Sequence, residues 1–142
     1  MKNRSVLADI ILPHLVYQDV AAAIDWLTHT LGFIENYRYG DPAQGAQMHL
    51  GDAWIMLRIS RPGEESPARC GVATQSLTVF VDDVDAHFER AKSAGAKIVE
   101  NLNETMYGER QYGVEDLERH RWLFSRHTRD VSPSEWGAVV AR

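Results

Sequence analysis

The stretch YGVEDLERHRWLFSRH, residues 112–127, sets two histidines and three arginines around Trp122, Leu123 and Phe124. Imidazoles on a strand can ligate zinc and similar cations. The segment therefore reads either as one wall of a metal site or as a strand whose polar residues meet water or a non-metal ligand. Other chemistry-bearing types are sparse. Cys70 is the single cysteine, in a loop with no evident base, and makes a poor nucleophile. The chain has no phosphate-cradling glycine loop, no G-x-S-x-G elbow and no Cys-x-x-Cys. Its acidic residues fall mostly on helices and turns, with no evident pair for acid and base work.

Bulk properties narrow the class further. A chain of 142 residues, 44% hydrophobic and 25% charged, is long enough to bury a core and is neither disordered nor a disulfide-stapled miniprotein. A net charge of −5 without a long basic run argues against duplex nucleic acid as a partner. One cysteine allows no internal disulfide and points to a reducing cytoplasm. The opening MKNRSVLADIILPHLVY meets a proline and a histidine too soon for a signal segment and never reaches membrane-spanning length. A soluble, cytoplasmic protein with no membrane partner is expected.

The elements that must position these residues form a repeat. ILPHLVY reads as a strand, after which Asp19 caps a helix whose Val20, Ile24, Leu27 and Leu31 share one face. Gly32 ends that helix before FIENYRY resumes as a strand. SLTVFV, the cap Asp83, a face of Val84, Phe88 and Ala91, the closing Gly95 and the strand KIVENL follow the same order. The two caps stand 64 positions apart and the two glycines 63, the mark of an internal duplication. AQMHL and AWIMLRIS, joined by Gly51-Asp52, complete the first unit, and RQYGVE and HRWLFSRH the second. RPGEESPARCGVAT between them reads as a linker loop, and the C-terminal tail carries a short helix capped by Ser132 or Ser134.

A duplicated βαβββ unit with Asp-Val at each helix start resembles the vicinal oxygen chelate superfamily, which holds glyoxalase I, extradiol dioxygenases, fosfomycin resistance enzymes and bleomycin resistance proteins. The most specific stretches are DVAAAIDWLTHTLGF and VDDVDAHFERAKSAGAKIV. YGERQYGVEDLERHRWLF is similar to the family's closing hairpin, with Leu117 where proline is usual and Arg119 where glycine is usual. The resemblance implies an α+β fold of two tandem βαβββ modules forming a curved mixed sheet. One domain over residues 1–142 is expected, with modules at 8–60 and 75–127, a linker at 61–74 and a tail at 128–142. It also implies a homodimer, since open sheets leave edges and apolar surface to cover.

In members with chemistry, four side chains on the concave sheet face hold a divalent metal. Carried over, their positions are Leu12, Met56, Ser76 and Leu123, none a normal ligand for a hard or borderline cation. The opening question thus resolves against a metal, and no cofactor is expected. His120 is expected to share its strand face with Trp122 and Phe124.

Strand alternation then names a candidate ligand cleft. His14, Trp54, Arg58, Thr78, Phe80 and Arg121 fall on its face, and Tyr107, Arg110 and Tyr112 from the closing hairpin stand at its rim. Four have a plainer reading: a hydrogen-bonded strand histidine for His14, sheet filler for Trp54, and solvated or surface-paired charges for Arg58 and Arg121. His29, His87 and His127 are expected on helix surfaces or at a strand end, and His120 at a turn. The leading function is metal-independent binding of a small, partly apolar molecule, with an anionic or hydrogen-bonding group suited to the cleft. The alternative is a glyoxalase- or dioxygenase-like enzyme with an atypical site, and the third a structural dimer without a ligand.

Overall fold

A computed structural model describes residues 11–141. The start of the first expected module, residues 8–10, lies outside the described residues. The chain parts into two compact units, one of residues up to 74 together with 116–120, the other of residues 75–115 together with those from 121 onward.

The first unit runs β1 (His14–Val16), α1 (Val20–Trp26) continued by a π-helical turn (Leu27–Leu31), β2 (Ile34–Tyr39), β3 (Gly45–Leu50), β4 (Ala53–Arg58) and α2 (Pro67–Cys70). β1 is shorter than the apolar run ILPHLVY because Pro13 has no N–H to give a ladder, although its carbonyl accepts from Met56 N at 2.8 Å. Asp19 caps α1 as expected, its Oδ1 accepting from Ala22 N at 3.0 Å. Gly32, at φ 82°, ends the π turn in the left-handed conformation that costs other residues roughly 1–2 kcal/mol. The expected linker loop is corrected in one place. Pro67, preset for a first helical position, starts the short α2, which Gly71 closes.

The second unit runs β5 (Ser76–Phe80), α3 (Val84–Ser93), β6 (Lys97–Glu104), β7 (Glu109–Glu115) and β8 (Arg121–His127). A 3-10 turn at Pro133–Trp136 follows, capped by Ser132 with Glu135 completing a capping box. Asp83 repeats the role of Asp19, accepting from Ala86 N at 3.0 Å.

Each unit holds one four-stranded mixed sheet, ordered β1-β4-β3-β2 and β5-β8-β7-β6, with only the first pair parallel. Together they make an α+β fold of two βαβββ modules. The duplication extends to the ladder itself. His14 pairs with Met56 as Thr78 pairs with Leu123, and the edge strand slips register between Glu35 and Tyr37 as it does between Ile98 and Glu100. A bulge kept at one place in both units shows equivalent backbones, not merely similar element order.

In each unit the helix covers one sheet face. α1 lies on β3 and β4, with Val20, Ala23, Ile24, Leu27, Met48, Ile55 and Leu57 buried. α3 lies on β6, β7 and β8, with Val84, Ala91, Val114, Trp122 and Phe124 buried. Each large side chain so buried contributes roughly 1.5–3 kcal/mol. On the faces turned away from the helices Gln47, Met56, Arg58, Gln111 and Ser125 are also buried, whereas His14, Thr78, Phe80 and Arg121 are exposed.

Candidate functional site on the open sheet faces

On the first sheet, alternation sends His14, Trp54, Met56 and Arg58 away from α1, with Gln47 and His49 beside them on β3. His49 and Trp54 stand opposite in the ladder and stack, with ring centroids 4.4 Å apart and planes 23° from parallel. Gln47 is fully buried and its Oε1 accepts from Asn36 Nδ2 at 2.7 Å, while Tyr37 Oη donates to Met56 Sδ at 3.8 Å. Tyr39 lies over Gly45: a Cβ there would sit 2.2 Å from the ring's Cζ, so only glycine leaves room.

Arg58 is 8% exposed, and its charge is engaged. Nη1 and Nη2 donate to Glu64 Oε1 and Oε2 at 2.5 and 2.7 Å, and Nε donates to His14 Nδ1 at 3.2 Å. The guanidinium and the Arg61 backbone N–H, which donates at 3.0 Å, hold the Glu64 carboxyl down at about 2. Desolvation of its ring, then the charges of Arg58 and Arg61, lower the pKa of His14.

On the second sheet, Thr78, Leu123 and Gly113 form one row in register, Phe80, Ser125 and Gln111 the next, and Ser76, Arg121 and Glu115 a third. Thr78 and Arg121 are exposed and Phe80 is 63% exposed, all on the face away from α3. Tyr107 leans onto the same face, its hydroxyl donating to Gln111 Oε1 at 3.1 Å, while Gln111 Nε2 donates to Glu100 Oε1 at 3.1 Å. Ser125 occupies the row that Arg58 occupies in the first sheet, and its buried Oγ has no partner among the described residues.

Two expected rim residues are corrected. Gln111 faces the open side, so its neighbours Arg110 and Tyr112 must face the helix. Arg110 Nη2 donates to Asp85 Oδ1 of α3 at 2.8 Å. Tyr112 is fully buried, opposite Phe124 and edge-on to Phe88, with its hydroxyl 2.6 Å from His87 Nδ1. Burial pushes that hydroxyl's pKa well above the ordinary tyrosine range. His87 is likewise no bare surface residue, for its ring stacks on Phe124 at 4.0 Å. His120 departs from the strand-face reading too: it precedes β8, and its Nε2 donates to the Val16 carbonyl at 2.7 Å.

The structure thus gathers His14, Trp54 and Arg58 on one open face, and Thr78, Phe80, Tyr107 and Arg121 on the other. Sequence reasoning missed His49, Gln47 and Glu64. His49 was within reach, because a two-residue turn at Gly51-Asp52 pairs it with Trp54. Glu64 in the linker carried no such signal.

At the four positions assigned to metal by resemblance, the side chains offer two hydrocarbons, a thioether and a neutral hydroxyl, a donor set that does not fit a divalent cation. Among the described residues no three His, Cys, Asp or Glu side chains gather closely enough to hold one. No described helix is long and apolar enough to cross a membrane.

Comparison with known proteins agrees with the fold. The family model of the Glyoxalase/Bleomycin resistance protein/Dioxygenase superfamily matches residues 9–124. An uncharacterised protein of Mycobacterium tuberculosis (strain H37Rv) is 32% identical over 138 residues, spanning 91% of this chain and 81% of that protein. The crystal structure of TioX from Micromonospora sp. ML1 is 36% identical, with a TM-score of 0.72 over 84% of this chain and 98% of its own. TnmS3, described as an antibiotic binding protein from Streptomyces sp. CB03234, shares the fold at 20% identity and a TM-score of 0.70, over 86% of this chain and 98% of its own.

Proposed function

The chain belongs to the glyoxalase/bleomycin resistance protein/dioxygenase superfamily, and on that premise we propose that it binds a small, partly apolar molecule without a metal. The observation that carries this reading is the stacked His49–Trp54 pair on the open face of the first sheet, beside Met56. Two aromatic rings already held parallel lose little freedom when a third planar group joins them. The antibiotic binding described for TnmS3 supports the reading by showing a like use of this fold. Binding of this kind does not require metal ligands at the four family positions, where Leu12, Met56, Ser76 and Leu123 stand.

We further infer one domain over residues 1–142, a homodimer and a cytoplasmic location. The open sheet edges support the dimer, and the single exposed Cys70 supports a reducing compartment. Native mass spectrometry of freshly purified protein tests most of this at once. Twice the chain mass, a co-purified or added aromatic small molecule, and no stoichiometric Ni, Zn, Mn or Fe are expected. One bound metal per chain, lost on His14→Ala, would return the enzyme reading to first place.

A further inference from the structure

We propose that the open face of the first sheet selects an uncharged planar ligand bearing a hydrogen-bond acceptor, and that Glu64 is the residue that sets this preference. The inference rests on the reading of that face as a ligand site and goes beyond it, to the charge of what is bound.

A face carrying Arg58 would ordinarily invite an anion. Here the guanidinium is already spent. Its two terminal nitrogens grip both oxygens of Glu64, the bidentate geometry a ligand carboxylate or sulfonate would otherwise take up. Glu64 is itself fixed by the Arg61 backbone N–H, and Arg58 is almost wholly buried, so a competing anion would have to displace an anchored carboxylate. Arg61 is the other cation acting on His14, and its exposed side chain is screened by water.

The remaining bond of Arg58 determines what the face does offer. A guanidinium Nε–H can only donate, so His14 Nδ1 must accept, and in the neutral ring the proton sits on Nε2. His14 is exposed, which leaves Nε2–H as a donor available to a carbonyl, ether or phenol oxygen. The chain Glu64–Arg58–His14 therefore cancels a charge and orients a neutral donor. The stacked His49–Trp54 pair supplies the planar surface.

Two dyes of one naphthalene scaffold test this by fluorescence titration, the neutral 6-propionyl-2-dimethylaminonaphthalene, whose carbonyl oxygen accepts, and the anionic 6-dimethylaminonaphthalene-2-sulfonate. Wild-type protein is expected to bind the neutral dye more tightly, and Trp54→Ala to weaken it. Glu64→Gln should raise affinity for the sulfonate about tenfold relative to that for the neutral dye, and adding Arg58→Met should remove the gain. A wild-type preference for the sulfonate, lost in Arg58→Met, would overturn the inference and leave the ligand site standing. Failure of both dyes to bind in a Trp54-dependent way would overturn both. Should Glu64→Gln not fold, the order of the two wild-type affinities decides alone.

Discussion

A bidentate ion pair on a sheet face leaves a trace in acid stability. The Glu64 carboxyl is held at about 2, against an ordinary value of 4.5, chiefly by its hydrogen bonds to Arg58 and the Arg61 amide. A depressed folded-state pKa adds stability above the unfolded value, and that stability is lost as pH falls through the folded one. Wild type should therefore melt higher than Glu64→Gln from neutral pH down to about 4.5, and the gap should close toward about 2. Melting curves for both proteins at several pH values check this, and a gap that persists at the acid end would mean that the pair does not titrate as one unit. Single residues were also where sequence reading reached least far. His14 and Arg58 were visible as strand residues of one parity, but Glu64 lies in a loop without periodicity, and only the folded chain brings it to the guanidinium.

Elements were far more legible, because period and punctuation are local. The caps Asp19 and Asp83 and the closing glycines marked both helices, and the parity of β1, β4, β5 and β8 followed from alternation once the resemblance had named one residue on each strand. β7 went astray in parity: a likeness to the family's closing hairpin placed Arg110 and Tyr112 at a rim, although the strand turns both toward α3. The turn between β7 and β8 held a second departure, Arg119 in place of the usual glycine. It keeps a left-handed backbone there, at φ 69°, the one non-glycine with positive φ among the described residues. Relief of roughly 1–2 kcal/mol of left-handed strain, offset by roughly 0.5–1 from glycine's extra freedom when unfolded, makes Arg119→Gly neutral to slightly stabilising. Arg119→Val should destabilise, since a β-branched side chain tolerates that conformation worst. Urea denaturation of the two variants reads the difference, and equal midpoints would show that the turn relaxes.

For the molecule as a whole, the duplication shapes both the fold and the division of labour. Equivalent ladders carry different side chains: the row of His49 and Trp54 in one sheet becomes Glu115 and Arg121 in the other. In that row one sheet carries an aromatic pair and the other a charged pair. The first unit has a further peculiarity in residues 116–120, which belong to it although all of 75–115 comes between. Asp116 accepts from the buried Tyr17 hydroxyl at 2.5 Å, and Glu118 accepts from the backbone N–H groups of Gln18 and Asp19 at 2.7 and 3.1 Å. The Glu118 carbonyl also takes the Ala68 N–H at 2.9 Å. During synthesis the consequence is one of timing. A nascent chain that has exposed everything up to residue 74 still lacks the acceptors for these donors, so its first half must wait for residue 120 before it can lock. Hydrogen exchange on a 1–74 fragment should find the amides of Gln18, Asp19 and Ala68 unprotected where the full chain shields them. Equal protection in both would mean that the first half completes itself unaided.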